Sequence, residues 1–307
     1  MLLRLVPKAT KIDFLGLRKP AYLLSALLIA ASIGLFSING LNRGIDFEGG
    51  ILLEVGTEQP ADIGLFRSAV SGLGLGEIKI QDFGTPTEVL IRIERQPGDA
   101  TAQQAAVEAV QAALGQVMAD ITYRRIEFVG PQVSGELVRD GILAVTLAVA
   151  AVLIYIWFRF EWQFGLGAVI ALVHDVVLTI GFFSLTGLEF NLSIIAAILT
   201  IVGYSLNDTV VVYDRIRENI RKFRSKELLE LLNMSLNQTL SRTVMTSVTT
   251  LIALFSLFFF GGEVIRGFTA AMIWGVFVGT YSSIFVAAPV LLFLNVRRSA
   301  FTEEPAR

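Results

Sequence analysis

The chain has 307 residues, 54% of them hydrophobic and 17% charged, with 25 Lys and Arg against 27 Asp and Glu for a formal net charge of −2. A mean hydropathy of +0.66, with charge content below the roughly one quarter usual for soluble domains, excludes an ordinary soluble protein. The lack of cysteine excludes disulfides, thiol nucleophiles and cysteine metal sites, and one histidine cannot supply the three or four N or S ligands of a zinc centre.

A bilayer core of about 30 Å takes roughly 20 apolar residues in a helix. The first such run is Pro20–Ile38. It exceeds the about 7–15 residues of a signal-peptide core, and Ser37-Ile38-Asn39-Gly40 offers no small-x-small cleavage site, so it is expected to be retained. The insert that follows, residues 39–140, reads as a separate soluble domain with eight basic and fifteen acidic side chains, a net charge of −7. Gly50–Val55 suits a strand and Ala61–Leu73 a helix. Glu77–Phe83 and Glu88–Glu94 alternate apolar and polar at period two around a Gly84-Thr85-Pro86 turn. Asp99–Ala119 is Ala/Gln-rich and helical with Asp99 as its cap, and Ile121–Val129 alternates again. The order β-α-β-β-α-β predicts a ferredoxin-like α+β domain.

Five more apolar spans follow: Gly141–Phe158, Phe164–Thr186, Asn191–Tyr213, Arg242–Phe260 and Phe268–Leu294. The fold class is therefore a polytopic α-helical membrane protein with six transmembrane helices and the α+β domain between helices one and two. Basic residues cluster before helix one (Arg4, Lys8, Lys11, Arg18, Lys19), between helices four and five (Arg215, Arg217, Arg221, Lys222, Arg224, Lys226) and in the tail (Arg297, Arg298, Arg307). The loop Gly187–Phe190 has none, and Gly261–Gly267 has only Arg266. The positive-inside bias places both termini, residues 1–19 and 295–307, in the cytoplasm with the segment 214–241. The insert 39–140 then lies outside, in the periplasm.

Ionisable side chains at bilayer depth are costly and face a protein interior or a wet path. On helix four Tyr204, Ser205, Asp208 and Thr209 share one face, flanked by Asn207, and Asp208 lies about 9 Å inside Asp214 at about 1.5 Å per residue. Either hydroxyls hold a structural aspartate there or the carboxyl carries protons. On helix five Arg242, Thr246, Thr249, Ala253 and Ser256 recur at helical spacing, a small and polar face headed by a cation that is either a partner for Asp208 or an interfacial anchor. Helix three carries His174-Asp175, with Gly167, Ala171, Asp175 and Thr179 in a four-residue repeat. Asp175 is expected on a packed face and His174 to point elsewhere. Helix six shows the stripe Ala271, Gly275, Gly279, Ser283 and Ala287, which suits close packing within the bundle or against a partner.

No G-x-S-x-G elbow and no G-x-x-x-x-G-K-[ST] loop occurs, and Gly72-Leu73-Gly74-Leu75-Gly76 lacks the strand and helix of a phosphate site. The chain reads as neither an enzyme nor a nucleic-acid binder, with no cofactor and no metal. Work would come from an ion gradient or a partner.

Three stretches together resemble the SecD/SecF family of the RND-type superfamily. They are Gly44-Ile45-Asp46-Phe47-Glu48-Gly49-Gly50, the long run from Val202 to Asn219 (VGYSLNDTVVVYDRIREN), and Asn237-Gln238-Thr239-Leu240-Ser241-Arg242-Thr243. The resemblance implies an auxiliary subunit of the Sec protein-translocation machinery in the bacterial inner membrane. It implies SecD as the pseudo-symmetric other half, and as further partners the SecYEG channel, other Sec accessory subunits, the translocating polypeptide and protons. It also implies that Asp208 and Arg242 serve proton passage driven by the proton-motive force; by their own positions in the spans, Asp175, Ser205, Asn207, Thr209 and Thr246 are candidate supporting polar residues. Asp46, Phe47, Gly49 and Gly50 match the family's outer-domain motif, which locally reads as a turn feeding the first strand, its glycines chosen for backbone freedom. Two other functions stay open: a half-sized RND-type small-molecule exporter, which calls for an apolar ligand-sized cleft in the outer domain, and a scaffold whose polar helix residues only pack.

Overall fold

The computed structural model describes residues 10–294 and 296, so the basic residues Arg4, Lys8, Arg297, Arg298 and Arg307 lie outside the described residues. The chain divides into two compact units. One comprises Arg43–Leu143 with Glu189–Leu192, and the other holds most of the long helices.

The first unit is built on strands β1 (Gly50–Thr57), β2 (Ile78–Phe83), β3 (Thr85–Ile93) and β4 (Ile121–Val129) in the order β2-β3-β1-β4, all pairs antiparallel. This is the ferredoxin-like arrangement expected from the element order. Helices α3 (Ile63–Val70) and α4 (Ala100–Val117) start at Asp62 and Asp99, whose carboxylates each accept two backbone N–H groups of the first turn. Alternation puts Ile51, Leu53 and Val55 of β1 on one face, opposite Ile93, Ile91 and Val89 of β3. That face packs on Phe66, Val110 and Leu114 of the helices. The β2–β3 hairpin is tighter than Gly84-Thr85-Pro86: Gly84 alone turns, at φ +78°, and Thr85 already pairs with Phe83.

The second unit contains α1 (Arg18–Asn39), most of α5 (Pro131–Arg159), α6 (Trp162–Thr186), α7 (Leu192–Lys222), α8 (Leu228–Phe260), and α9 (Glu263–Ser282), which continues through a π-helical turn (Ser283–Ala287) into α10 (Ala288–Phe293). Six helical spans are long and apolar enough to cross a membrane. Among them α6, α7 and α9 are buried along one face, whereas α1, α5 and α8 leave large apolar side chains outside, such as Ile38, Phe158 and Phe260. In water this surface would be costly at about 25 cal/mol per Å². In lipid it is the solvated face.

Helices α7 and α8 run past the apolar spans, to Lys222 and from Leu228, so helix occupies most of residues 214–241. The extensions are clamped by Asn219, whose amide donates to Ser235 Oγ and Gln238 Oε1, both at 2.8 Å. Nearby, Arg159 pairs with Asp214 at 3.0 Å and Arg217 with Glu161 at 3.1 Å, both guanidinium groups lying over the Phe160 ring. Beneath them Tyr213 is fully buried, edge-on to Phe164, and donates to Ala287 O at 3.1 Å. The segment before α1 is strapped to α8: Asn237 bonds both the N–H and the C=O of Ile12 at 2.8 Å, and Asn233 accepts from Phe14 N at 2.9 Å.

Candidate functional site

The buried face of α7 follows Ile194, Ala197, Ile198, Ile201, Ser205, Thr209, Val212 and Ile216, so two hydroxyls replace aliphatic residues in mid-helix. Opposite them α9 presents Ala271, Gly275 and Gly279. A Cβ at Gly275 would overlap Ile201, and one at Gly279 would sit 3.0 Å from Ser205 Cβ. The small-residue stripe therefore serves close packing inside the bundle. Because α9 comes this near, the hydroxyls just beyond Gly279 reach the polar residues of α6 and α7. An α-helical step turns consecutive residues about 100° apart. Here the π turn begins at the second of two serines, and both point inward: Ser282 Oγ donates to Asp175 Oδ2 at 2.8 Å, and Ser283 Oγ lies 3.0 Å from Thr209 Oγ1.

Asp175 has no exposed surface. Ser205 Oγ also donates to its Oδ2, at 2.5 Å, and His174 Nδ1 lies 2.9 Å from Oδ1. The expectation that His174 points elsewhere is thus corrected. The imidazole is nearly fully buried and, although one residue along the helix, turns back to meet its neighbour's second oxygen while stacking on Tyr281. Asp208 sits half-buried one turn further along α7. Thr243 Oγ1 donates to its Oδ1 at 2.6 Å, and its Oδ2 is buried with no hydrogen-bond partner. A third link joins α7, α8 and α9 through Tyr204 Oη to Ser247 Oγ (3.2 Å) and Ser247 Oγ to Thr280 Oγ1 (2.8 Å).

The polar face of α8 is offset from the one expected. Arg242, Thr246, Thr249 and Ser256 are exposed, whereas Ser235, Thr239, Thr243 and Ser247 are buried. The outer hydroxyls are satisfied within the helix, Thr246 donating to Arg242 O, Thr249 to Met245 O and Ser256 to Ile252 O. Among the described residues no ion pair within 4.0 Å joins Arg242 to Asp208, and the hydroxyls of Thr243 and Ser283 are the nearer polar groups. Asn207 lies on the exposed side of α7. The structure thus brings Asp175 to Ser205, Thr209 to Ser283 and Asp208 to α8. Sequence reasoning missed Thr243, Ser247, Thr280 and Ser282, although the pair Ser282-Ser283 beside Gly279 was a visible signal. Among the described residues no three His, Cys, Asp or Glu side chains cluster as metal ligands would.

In the sheet-containing unit, Ile45–Glu48 forms one helical turn, α2. The Asp46 carboxylate accepts from Leu192 N at 2.8 Å, capping the start of α7, and Phe47 packs on Phe190. Gly49 and Gly50 follow at φ +73° and +115°, and a Cβ on Gly50 would lie 2.6 Å from Ile93 O. Arg92 pairs with Glu189, which ties the short loop after α6 to the sheet.

Comparison with known proteins bears on the same residues. The family "Protein export membrane protein SecD/SecF, C-terminal" matches residues 109–297, and "SecD/SecF GG Motif" matches residues 34–61. The "Protein translocase subunit SecF" of Magnetococcus marinus is 52% identical over 290 residues, covering 94% of this chain and 93% of that protein. The one of Rickettsia bellii is 46% identical over 295 residues, covering 95% and 97%. Among solved structures, SecDF of Thermus thermophilus, a translocon-associated membrane protein, superposes with a TM-score of 0.84 at 38% identity over 94% of this chain. This chain spans 39% of that longer one.

Proposed function

The chain belongs to the SecD/SecF family of protein-export membrane proteins, and on that footing we propose that it is an auxiliary subunit of Sec-dependent protein export that draws on the proton-motive force. One observation carries this reading: identity of 46–52% to SecF translocase subunits along nearly the whole of both chains. It is a multi-pass protein of the bacterial inner membrane, working as an accessory subunit rather than an enzyme. The partner in this reading is a SecD-type subunit, which the name SecDF of the longer structural neighbour supports. The SecYEG channel and the exported polypeptide complete the assembly. The basic residues around the ends of α1, α7 and α8 favour a cytoplasmic location for both termini and a periplasmic one for the domain of residues 39–140.

Asp208 is the proton carrier in this reading, and Arg242 a cation that biases it from the flank of α8. A proton on Asp208 removes the charge that Thr243 Oγ1 donates to, so α7 and α8 meet differently in the two states. Each charge crossing a potential of about 100 mV supplies roughly 2.3 kcal/mol, enough to shift a two-state helix contact. The exporter reading is not favoured. The cleft in the sheet-containing unit, about 230 Å³, is lined by Arg43, Glu48, Glu77, Lys79, Arg92 and Glu94, a charged surface unsuited to apolar cargo. Asp208→Asn tests the proposal: insertion and assembly are expected to be retained, and gradient-dependent secretion lost. Secretion that still responds fully to an uncoupler in that variant overturns the proton-carrier role.

A further inference from the structure

We propose that His174 and Asp175 form a second proton-binding site, separate from Asp208, whose occupancy decides whether α9 is held to α6 and α7 through Ser282 and Ser205. The inference deepens the proton-driven reading above and rests on it.

Three side-chain groups converge on the Asp175 carboxylate: Ser205 Oγ and Ser282 Oγ on Oδ2, and His174 Nδ1 on Oδ1. Two hydroxyls donating to one oxygen mark it as an acceptor, so the titrating proton belongs between Oδ1 and the imidazole. Among the described residues no Lys or Arg pairs with Asp175. His174 Nδ1, 2.9 Å from Oδ1, is therefore the basic nitrogen that meets the carboxylate.

The imidazole's other nitrogen makes the pair more than a structural bond. His174 is 3% exposed, yet its Nε2 has no hydrogen-bond partner. A finished buried network satisfies both ring nitrogens. Here one is left over, on a side chain that lines a groove of about 420 Å³ between α1, α6 and α10 together with Tyr22, Ser25 and Val286. The other titratable groups facing the pair are Tyr281 of α9, stacked on the ring and sharing its hydroxyl with Ser25 of α1, and Tyr22 of α1; Asp208 lies one turn along α7 from Ser205.

The proton balance is simple. Neutral His174 donates from Nδ1 to ionised Asp175. A proton taken up at Nε2 forms an N–H bond there, the Nδ1–H bond breaks, and an O–H bond forms on Oδ1. The pair passes from a net charge of −1 to zero, and both members end neutral. Hydrogen bonds to an ionised acceptor are roughly twice as strong as neutral ones, so the hold of Oδ2 on Ser205 and Ser282 weakens. Ser282 directly precedes the π turn, an element that can tighten to α-helix by shifting one residue. Ser283, the next residue, holds Thr209, the neighbour of Asp208. One turn of α9 thus reads both carboxyl groups.

The test uses the full chain with its SecD-type partner in lipid bilayers. Infrared difference spectra between acid and alkaline pH are recorded in the Asp208→Asn background, which removes that carboxyl. A titrating protonated-carboxyl band is expected. It should vanish when Asp175→Asn is added, and His174→Gln should move its half-point by about one pH unit or more. With Asp208 intact, His174→Gln should lower gradient-driven secretion about tenfold at unchanged complex yield, equivalent to about 1.4 kcal/mol. A band indifferent to Asp175→Asn, or a half-point unmoved by His174→Gln, overturns the second site. If Asp175→Asn does not assemble, the half-point in His174→Gln decides alone. Secretion unaffected by Asp208→Asn would overturn the proton-driven reading instead, and the band would still report on Asp175.

Discussion

Removing the Thr243 hydroxyl should disable the Asp208 site without disturbing the bundle. Thr243 Oγ1 donates to that carboxylate at 2.6 Å, the Ser283 hydroxyl is a further polar neighbour, and Oδ2 is buried without a hydrogen-bond partner. Thr243→Val keeps the β-branched shape of a side chain that is buried against α7 and removes only the donor. A hydrogen bond to a charged group contributes about 1.5–3 kcal/mol. At about 1.4 kcal/mol per factor of ten, its loss should lower gradient-driven secretion roughly 10- to 150-fold if the cycle passes through ionised Asp208. Thr243→Ser keeps the donor and should stay within about threefold of the parent. The assay is secretion into inverted membrane vesicles with and without an uncoupler, normalised to the amount of assembled complex. Thr243→Val combined with Asp208→Asn should be little worse than Asp208→Asn alone, because both changes break one coupled unit. Parental secretion by Thr243→Val, or losses that simply add in the double variant, would falsify the coupling between α8 and Asp208.

Arg242→Lys should retain most gradient-driven secretion and Arg242→Leu little of it. The guanidinium makes no ion pair with Asp208, so its influence is that of a charge at a distance rather than of a fork; equal loss in both variants would contradict this. Gly50→Ala should destabilise the sheet-containing unit by about 2 kcal/mol or more, since φ is +115° and the new Cβ would meet Ile93 O. Gly72→Ala, which meets nothing within 4 Å, is the control and should be neutral. Thermal unfolding of the full chain in detergent, followed by proteolysis within residues 43–143, separates the two.

How far the sequence discloses this site depends on which side chains can satisfy themselves. Span lengths and the period-two strands are local properties, and they locate the six helices and the four strands directly. Carboxylates are legible for a related reason: an ionised Asp175 or Asp208 has no proton to donate to the carbonyls of its own helix, so each must accept from a donor elsewhere. Hydroxyls are different. Helix α8 carries one stripe of them through Ser235, Thr239, Thr243 and Ser247 and another through Thr246, Thr249 and Ser256, and hydropathy cannot choose between them. Each outer hydroxyl donates to the carbonyl four residues back, so it faces outward at little cost. Polarity in a membrane helix therefore predicts burial for Asp and not for Thr. The pairing of Thr243 with Asp208 depends on which phase of α8 meets α7, and the inward turn of both Ser282 and Ser283 on a π segment that a 3.6-residue period does not contain. Helix ends were also hidden. Apolarity stops at the bilayer edge near Tyr213 and Arg242, but the helices continue because Asn219 cross-links the two extensions through Ser235 and Gln238. Asn219 and Gln238 both lie inside the stretches that carried the family resemblance. Those stretches thus hold both the clamp between the helix extensions and the Asp208 carboxyl group that meets Thr243.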